Sequence, residues 1–254
     1  MRAWLAALVF GVSAHAQTAL SRDQSELLDS TRSLALQYSQ SLPNFLCTET
    51  VRRSEDQFGG GRWRLIDTLK IKVTYSGRED YQLVTRNGVA AGGDYSSVGG
   101  AISAGEFGSR LADIFAIESA AEFAWKGWGR VRRHRVAVYT YRIDGAHSRN
   151  VVRYGGQNEP GAKSITPGFH GEISVDPDSG HVLRVTLSAD LPNGFPITDC
   201  STWTEYDYRA VAGSTYLVPV ESETKVVSGR YQASNHIAFD DYRKFGSDAT
   251  ITFK

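Results

Sequence analysis

The chain has 254 residues, with 28 Lys and Arg against 28 Asp and Glu, 41% hydrophobic and 22% charged residues, and 25 Gly against 7 Pro. Such a chain can bury a sizeable core without staples. Its charge balance excludes a global field that would gather nucleic acid or an anionic membrane.

Residues 1–20 read MRAWLAALVFGVSAHAQTAL. Arg2 supplies a charged start, Ala3 to Val12 a short apolar run, and Ala14-His15-Ala16 a small-x-small cleavage site, so the stretch predicts an export signal, residues 1–16. The run is too short to span a bilayer, and an uncleaved N-terminal anchor is the other reading. Residues 17–254 are expected to form a single β-rich domain, periplasmic or secreted. No later segment has about 18 uninterrupted apolar residues, so no transmembrane segment is expected in the mature chain.

Ser21 and Gln24 form a capping box that opens a helix over about 21–42. Leu27, Leu28, Thr31, Leu34, Ala35, Tyr38 and Leu42 share one face of it, and Pro43 ends it. The period then changes to two. In RLIDTLKIKVTY, Leu65, Leu69, Ile71, Val73 and Tyr75 are assigned to a buried face, with Arg64, Thr68, Lys70, Lys72 and Thr74 on a wet one. The FGGG turn at 58–61 pairs this strand with one beginning at Cys47. Asn87-Gly88 ends a third strand. Residues 88–105 carry few bulky side chains and are expected to form a loop less ordered than its flanks. A second capping box, Ser103 to Glu106, is expected to open an inserted helix over about 105–117. Phe107, Leu111, Ile114 and Phe115 are its apolar stripe. The rest reads as strands and turns, including a hairpin turned by Asp176-Pro177-Asp178-Ser179-Gly180. There is no βαβ alternation. The fold class is mainly β with helices: one large curved antiparallel sheet forming an unclosed half-barrel, helices on its concave face.

Little here offers catalysis. No Gly-x-Ser-x-Gly is present, and Asp240-Asp241 on one strand would point to opposite faces. RVRRHR at 130–135 reads as a solvated strand start rather than a nucleic-acid patch. His170 and His181 could face each other across a hairpin near Glu172, but that is a weak zinc motif, and no metal or other cofactor is expected. The two cysteines, Cys47 and Cys200, predict a disulfide in an oxidising compartment. Two buried free thiols or a reactive thiol are the other readings. The aromatics Trp125, Trp128, Tyr139 and Tyr141 lie in strand-like segments and line either a core or a ligand cavity.

In order, LPNFLCTETVRR, GEFGSRLADIF, EFAWKGW, GEISVDPDSGHVLRV and YDYRAVAGSTYLVPVES resemble a class of secreted bacterial proteins. The last two units are also similar to the periplasmic outer-membrane lipoprotein-carrier type, LolA-like, whose shape the sensor RseB shares. The resemblance implies an unclosed barrel that binds acyl chains under a helical lid and has no catalytic residues to carry over. Carriers line that cavity with aliphatics; here the candidate lining is rich in Tyr and Trp. The expected function is therefore non-enzymatic binding of a lipid, acyl chain or other apolar ligand. Phe107, Leu111, Ile114, Phe115, Trp125, Trp128, Tyr139 and Tyr141 are the candidate cavity or lid residues. The alternatives are a structural or protein-interaction module with an envelope protein as partner, and a hydrolase whose site is assembled from distant residues.

Overall fold

A computed structural model describes residues 19–93, 95–98, 105–156, 160–211 and 213–244. The expected signal at 1–16 and Ser103 lie outside them. Helix α1 (Arg22–Ser41) starts with both bonds of the Ser21–Gln24 capping box in place and buries Leu28, Thr31, Ala35 and Tyr38. Strands β1 (Phe45–Asp56), β2 (Arg64–Tyr75), β3 (Glu79–Arg86) and β4 (Val89–Ala90) follow. Next come α2 (Ser109–Phe115), β5 (Glu122–Val131), β6 (His134–Ile143) and a short pair, β7 (Val152–Tyr154) and β8 (Lys163–Ile165). The chain continues through β9 (Phe169–Val175), β10 (Val182–Ala189), β11 (Asp199–Val211), β12 (Ser214–Ser228) and β13 (Tyr231–Lys244).

Among the described residues, eleven strands form one antiparallel sheet in the order β4-β3-β2-β1-β13-β12-β11-β10-β9-β6-β5, with β4 and β5 as its two edges and no pairing between them. This is a half-barrel. Consecutive hairpins account for most neighbours, and the exceptions are β13 against β1 and β9 against β6. Edge strand β5 carries a bulge at Lys126, between Trp125 opposite Tyr139 and Gly127 opposite Val138. A bulge and a lysine on an edge discourage the addition of a further strand.

The disulfide is corrected by this topology. Both cysteines are free, with Cys47 buried and Cys200 half-buried. Strands β13 and β12 lie between β1 and β11. Three inter-strand steps of about 4.8 Å separate the two strands, and the register carries Cys200 through Val226 and Ala233 to Glu55, well along β1 from Cys47, whereas a bridge needs Cα atoms within about 7 Å. Cys200 packs instead with a satellite cluster around Val152, Phe195 and Ile197.

Three other expectations change. Leu65 is exposed, because the register of β1 against β2 slips at Ile66 and turns Leu65 outward while Asp67 takes the inner position. Helix α2 is shorter than expected and begins after Gly108, at φ 117, with no side-chain cap. Phe107 lies in the turn before it. Within 88–105, Val89 and Ala90 form β4, and Tyr95 opens a 3-10 turn and is buried.

Candidate functional site

The inner face of the half-barrel is where both helices pack. Tyrosine hydroxyls fasten them to it. Tyr139 on β6 donates to the Gln24 carbonyl at the start of α1 (2.8 Å), and Tyr75 on β2 donates to the Ser39 carbonyl near its end (2.7 Å). Tyr38 on α1 donates to Leu217 of β12 (3.0 Å), and Tyr206 on β11 donates to the Glu106 carbonyl just before α2 (3.0 Å). A buried tyrosine supplies apolar area and one hydroxyl that needs a partner. That dual character explains the Tyr-rich lining. Burial pushes the Tyr139 hydroxyl up to about 12.

The candidate lining residues are placed as follows. Phe107, Leu111, Ile114 and Phe115 are all buried against the sheet. Phe107 meets Phe45 (5.3 Å between ring centres) and Phe239 (5.7 Å), and Phe115 stacks on Phe123 (5.3 Å). Tyr139 and Tyr141 are buried on β6. The Lys126 bulge lets Trp125 and Trp128, three residues apart, point the same way: their rings meet edge to face at 5.4 Å. Trp125 packs on Tyr139, whereas Trp128 is 54% exposed under the Arg135 guanidinium, 4.0 Å from its ring.

Helix α2 sits where only glycine fits. A Cβ on Gly108 would lie 2.8 Å from the Tyr38 ring, and Gly105 has φ 100. Two helices can approach this closely only over a residue without a side chain.

Beyond the helices, the inner face turns polar. One cross-strand row runs Asp67, Arg53, Asn235, Thr224 and Thr202 over β2, β1, β13, β12 and β11. All five are buried. Arg53 grips Asp67 with two bonds (2.7 and 2.6 Å) and Arg86 adds a third (2.8 Å), so these guanidiniums hold the Asp67 carboxyl below its ordinary range. The Thr202 and Thr224 hydroxyls lie 3.1 Å apart. The next row is Leu69, Val51, Ile237, Ser222 and Thr204, three aliphatic and two hydroxyl side chains. The third row brings in Ile71, Glu49 and Phe239, under the helices. The inner face is thus graded along its strands from ionic to aromatic.

Glu49 is the exception in the apolar third. It is buried, and desolvation, then the Glu106 and Glu79 charges, push its carboxyl well above the ordinary range. The rings of Tyr81 and Tyr95 pack 6.4 Å apart beside it. Among the described residues, neither of their buried hydroxyls has a hydrogen-bond partner.

The sequence reading missed this polar row. Its signal was present: Asp67 shares its strand face with Leu69, Ile71 and Val73, so an acid interrupts an apolar face at period two. Arg53, two residues after Val51, repeats the interruption on β1.

The outer face carries two shallow clefts, lined by residues such as Thr140, Arg142, His170, Glu172 and Thr186 in one and Lys126, Trp128, Arg130 and Arg184 in the other. Side chains here are joined to one another: His170 Nδ1 lies 2.8 Å from Asp190, Arg142 reaches the same carboxylate at 3.2 Å, and Lys126 meets Glu172. His181 lies elsewhere, its Nδ1 at 3.0 Å from the Tyr208 hydroxyl, so the two histidines do not face each other. The basic run at 130–135 covers the end of β5, the Arg132-Arg133 turn and the start of β6. Arg132, at φ 50, reaches Glu205 and Glu221 at 2.9 Å each. No helix among the described residues is long and apolar enough to cross a membrane.

No protein-family model and no curated protein matches the chain. The chain is similar to three solved structures. A LolA superfamily protein from Nitrosomonas europaea is 8% identical, with 91% of this chain and 97% of that one covered and a TM-score of 0.38. A DUF1329 family protein from Desulfovibrio piger is 10% identical, with 89% and 95% covered and a TM-score of 0.40. The lipoprotein LppX of Mycobacterium tuberculosis is 12% identical, with 88% and 98% covered and a TM-score of 0.33. No residue role carries over at these values.

Proposed function

We propose that this is an exported, non-enzymatic protein that binds a single-chain amphipathic lipid, its acyl chain between α2 and the inner face and its polar group at the Asp67–Arg53–Asn235–Thr224–Thr202 row. The observation that carries this reading is the graded inner face: a buried ionic and hydroxyl row lies two residue rows from an aromatic floor. A packed core has no need of such a row, because burying polar groups costs free energy that apolar replacements avoid. A ligand with a polar head and an apolar tail matches both halves. Export is read from residues 1–16, so the encounter is proposed for the periplasm or outside the cell.

The apolar part of the site is filled by α2 and the turn before it, through Phe107, Leu111, Ile114 and Phe115. The acyl chain therefore competes with this stripe rather than entering a vacant pocket. Helix α2 suits displacement: it has seven residues, and helices that short owe their stability to packing, not to propensity.

The test is native mass spectrometry of the protein expressed with its leader, followed by titration with a fluorescent long-chain fatty acid. The expected result is a retained species of fatty-acid or single-chain lipid mass, displaced by the probe at one site per chain. Absence of any retained species together with absence of saturable probe binding would overturn the proposal.

A further inference from the structure

We infer that the hairpin end of the half-barrel docks on an anionic bilayer surface. Three turns meet or lie close together there. The β1–β2 turn (57–63) and the β12–β13 turn (229–230) touch, since a Cβ on Gly59 would lie 3.1 Å from the Arg230 carbonyl oxygen. The β3–β4 turn lies beside β2, where the Asn87 amide donates to the Thr68 carbonyl (2.8 Å).

These turns hold apolar side chains out in water. Phe58 is 77% exposed, Val89 69% and Trp63 42%, and Leu65, Ile66 and Tyr231 are exposed as well. The exposure of Phe58 is built in. The Asp56 carboxylate accepts from the amides of Phe58 (3.2 Å), Gly59 (3.1 Å) and Gly61 (2.6 Å), which fastens the backbone of the turn that carries the ring. A loose turn could fold its phenylalanine back on the sheet; this one is tied, and the ring faces solvent. Large apolar side chains exposed together on turns mark a contact surface.

The charges around the tip select the partner. Each acid near it is engaged: Asp56 by the turn amides, Asp67 by Arg53 and Arg86, and Glu55 by Arg64. Arg62 and Arg230 are exposed on the two touching turns. The Lys225 ammonium sits 5.7 Å from the Trp63 ring. An aromatic tip ringed by cations fits the interface of a bilayer with anionic headgroups, where rings sit at headgroup depth and basic side chains meet phosphate. A protein interface would ask for a flatter patch with its charge kept out of the centre. Turn tips that project into solvent match a surface that deforms around them. This inference is independent of whether the inner face binds anything.

Co-sedimentation with vesicles of phosphatidylethanolamine and phosphatidylglycerol tests it, against vesicles of phosphatidylcholine alone. The full-length mature chain is expected to bind the first and not the second, and to be released by salt. Phe58→Ser with Trp63→Ser, and separately Arg62→Glu with Arg230→Glu, should each weaken binding about tenfold. Because all four side chains are exposed, the variants should melt as the parent does. A parent chain that stays in the supernatant, variants that bind as it does, or equal binding to phosphatidylcholine would each overturn the inference. Self-association lost in Phe58→Ser without vesicle binding would assign the tip to a second copy of the chain and overturn it too.

Discussion

Gly171 shows how one residue sets the width of the sheet. A Cβ there would overlap the Thr186 carbonyl oxygen of the neighbouring strand and press on the Tyr141 hydroxyl. The β9–β10 ladder opens at this point, and Tyr141 donates to the same carbonyl at 2.7 Å. The sequence places Gly171 in a strand but not its neighbours, so nothing in GEISV announces that no side chain fits. Gly171→Ala is expected to destabilise the chain by about 1–3 kcal/mol or more through overpacking, visible as a lowered urea midpoint. Glu49 carries the opposite kind of information: a raised carboxyl pKa. Its folded state holds a proton more tightly than the unfolded chain, so its share of stability is lost as pH rises above the ordinary carboxylate range. Glu49→Gln removes that ionisation. It should raise the melting temperature at pH 8 relative to the parent and leave little difference at pH 4, and equal differences at both would contradict the assignment. The free thiols are as direct to check. A reductant should leave the melting temperature unchanged, whereas a bridge closing so long a loop would contribute about 4–5 kcal/mol.

At the scale of elements, the periodic ones were legible and the short ones were not. Helix α1 could be read to within a residue or two, because its capping box and apolar stripe are local chemistry. The alternation in KIKVTY placed Val73 and Tyr75 inward correctly, but a bulge at Ile66 shifted Leu65 outward. Bulges depend on the partner strand and leave no mark in their own residues. The inserted helix was located by its four apolar residues, yet its start was misplaced: Gly108 adopts a positive-φ backbone that lets the chain pass close to Tyr38 and Ser39. That requirement comes from α1, far away in sequence. Leu111 separates two roles for α2. Leu111→Ala should cost about 2–5 kcal/mol in the ligand-free protein. If an acyl chain must displace this stripe, the same variant should bind the fatty-acid probe more tightly, since a weaker competitor is displaced. Weaker binding by a still-folded Leu111→Ala would mean that α2 contacts the ligand instead of yielding to it.

For the whole molecule, the half-barrel class was readable, and the order of its strands was not. Strand count, turns and lack of βαβ alternation favour one antiparallel sheet. The insertion of β13 beside β1 is a long-range choice, and it separates the two cysteines. It also assembles the polar row, since Arg53 and Asn235 become neighbours only through that pairing. The apolar stripe Phe107, Leu111, Ile114 and Phe115 was named from the sequence, but Phe45 and Phe239 beneath Phe107 were not, and the ionic row was missed because its members come from five strands. The central claim is that a lipid chain replaces α2 on the inner face. Hydrogen exchange of the amides of Ser109–Phe115, with and without saturating long-chain fatty acid, tests it most directly. The account predicts faster exchange in α2 on binding, with slower exchange in β1 and β13 beside the polar row. Bound fatty acid with α2 exchange unchanged or slowed would contradict it.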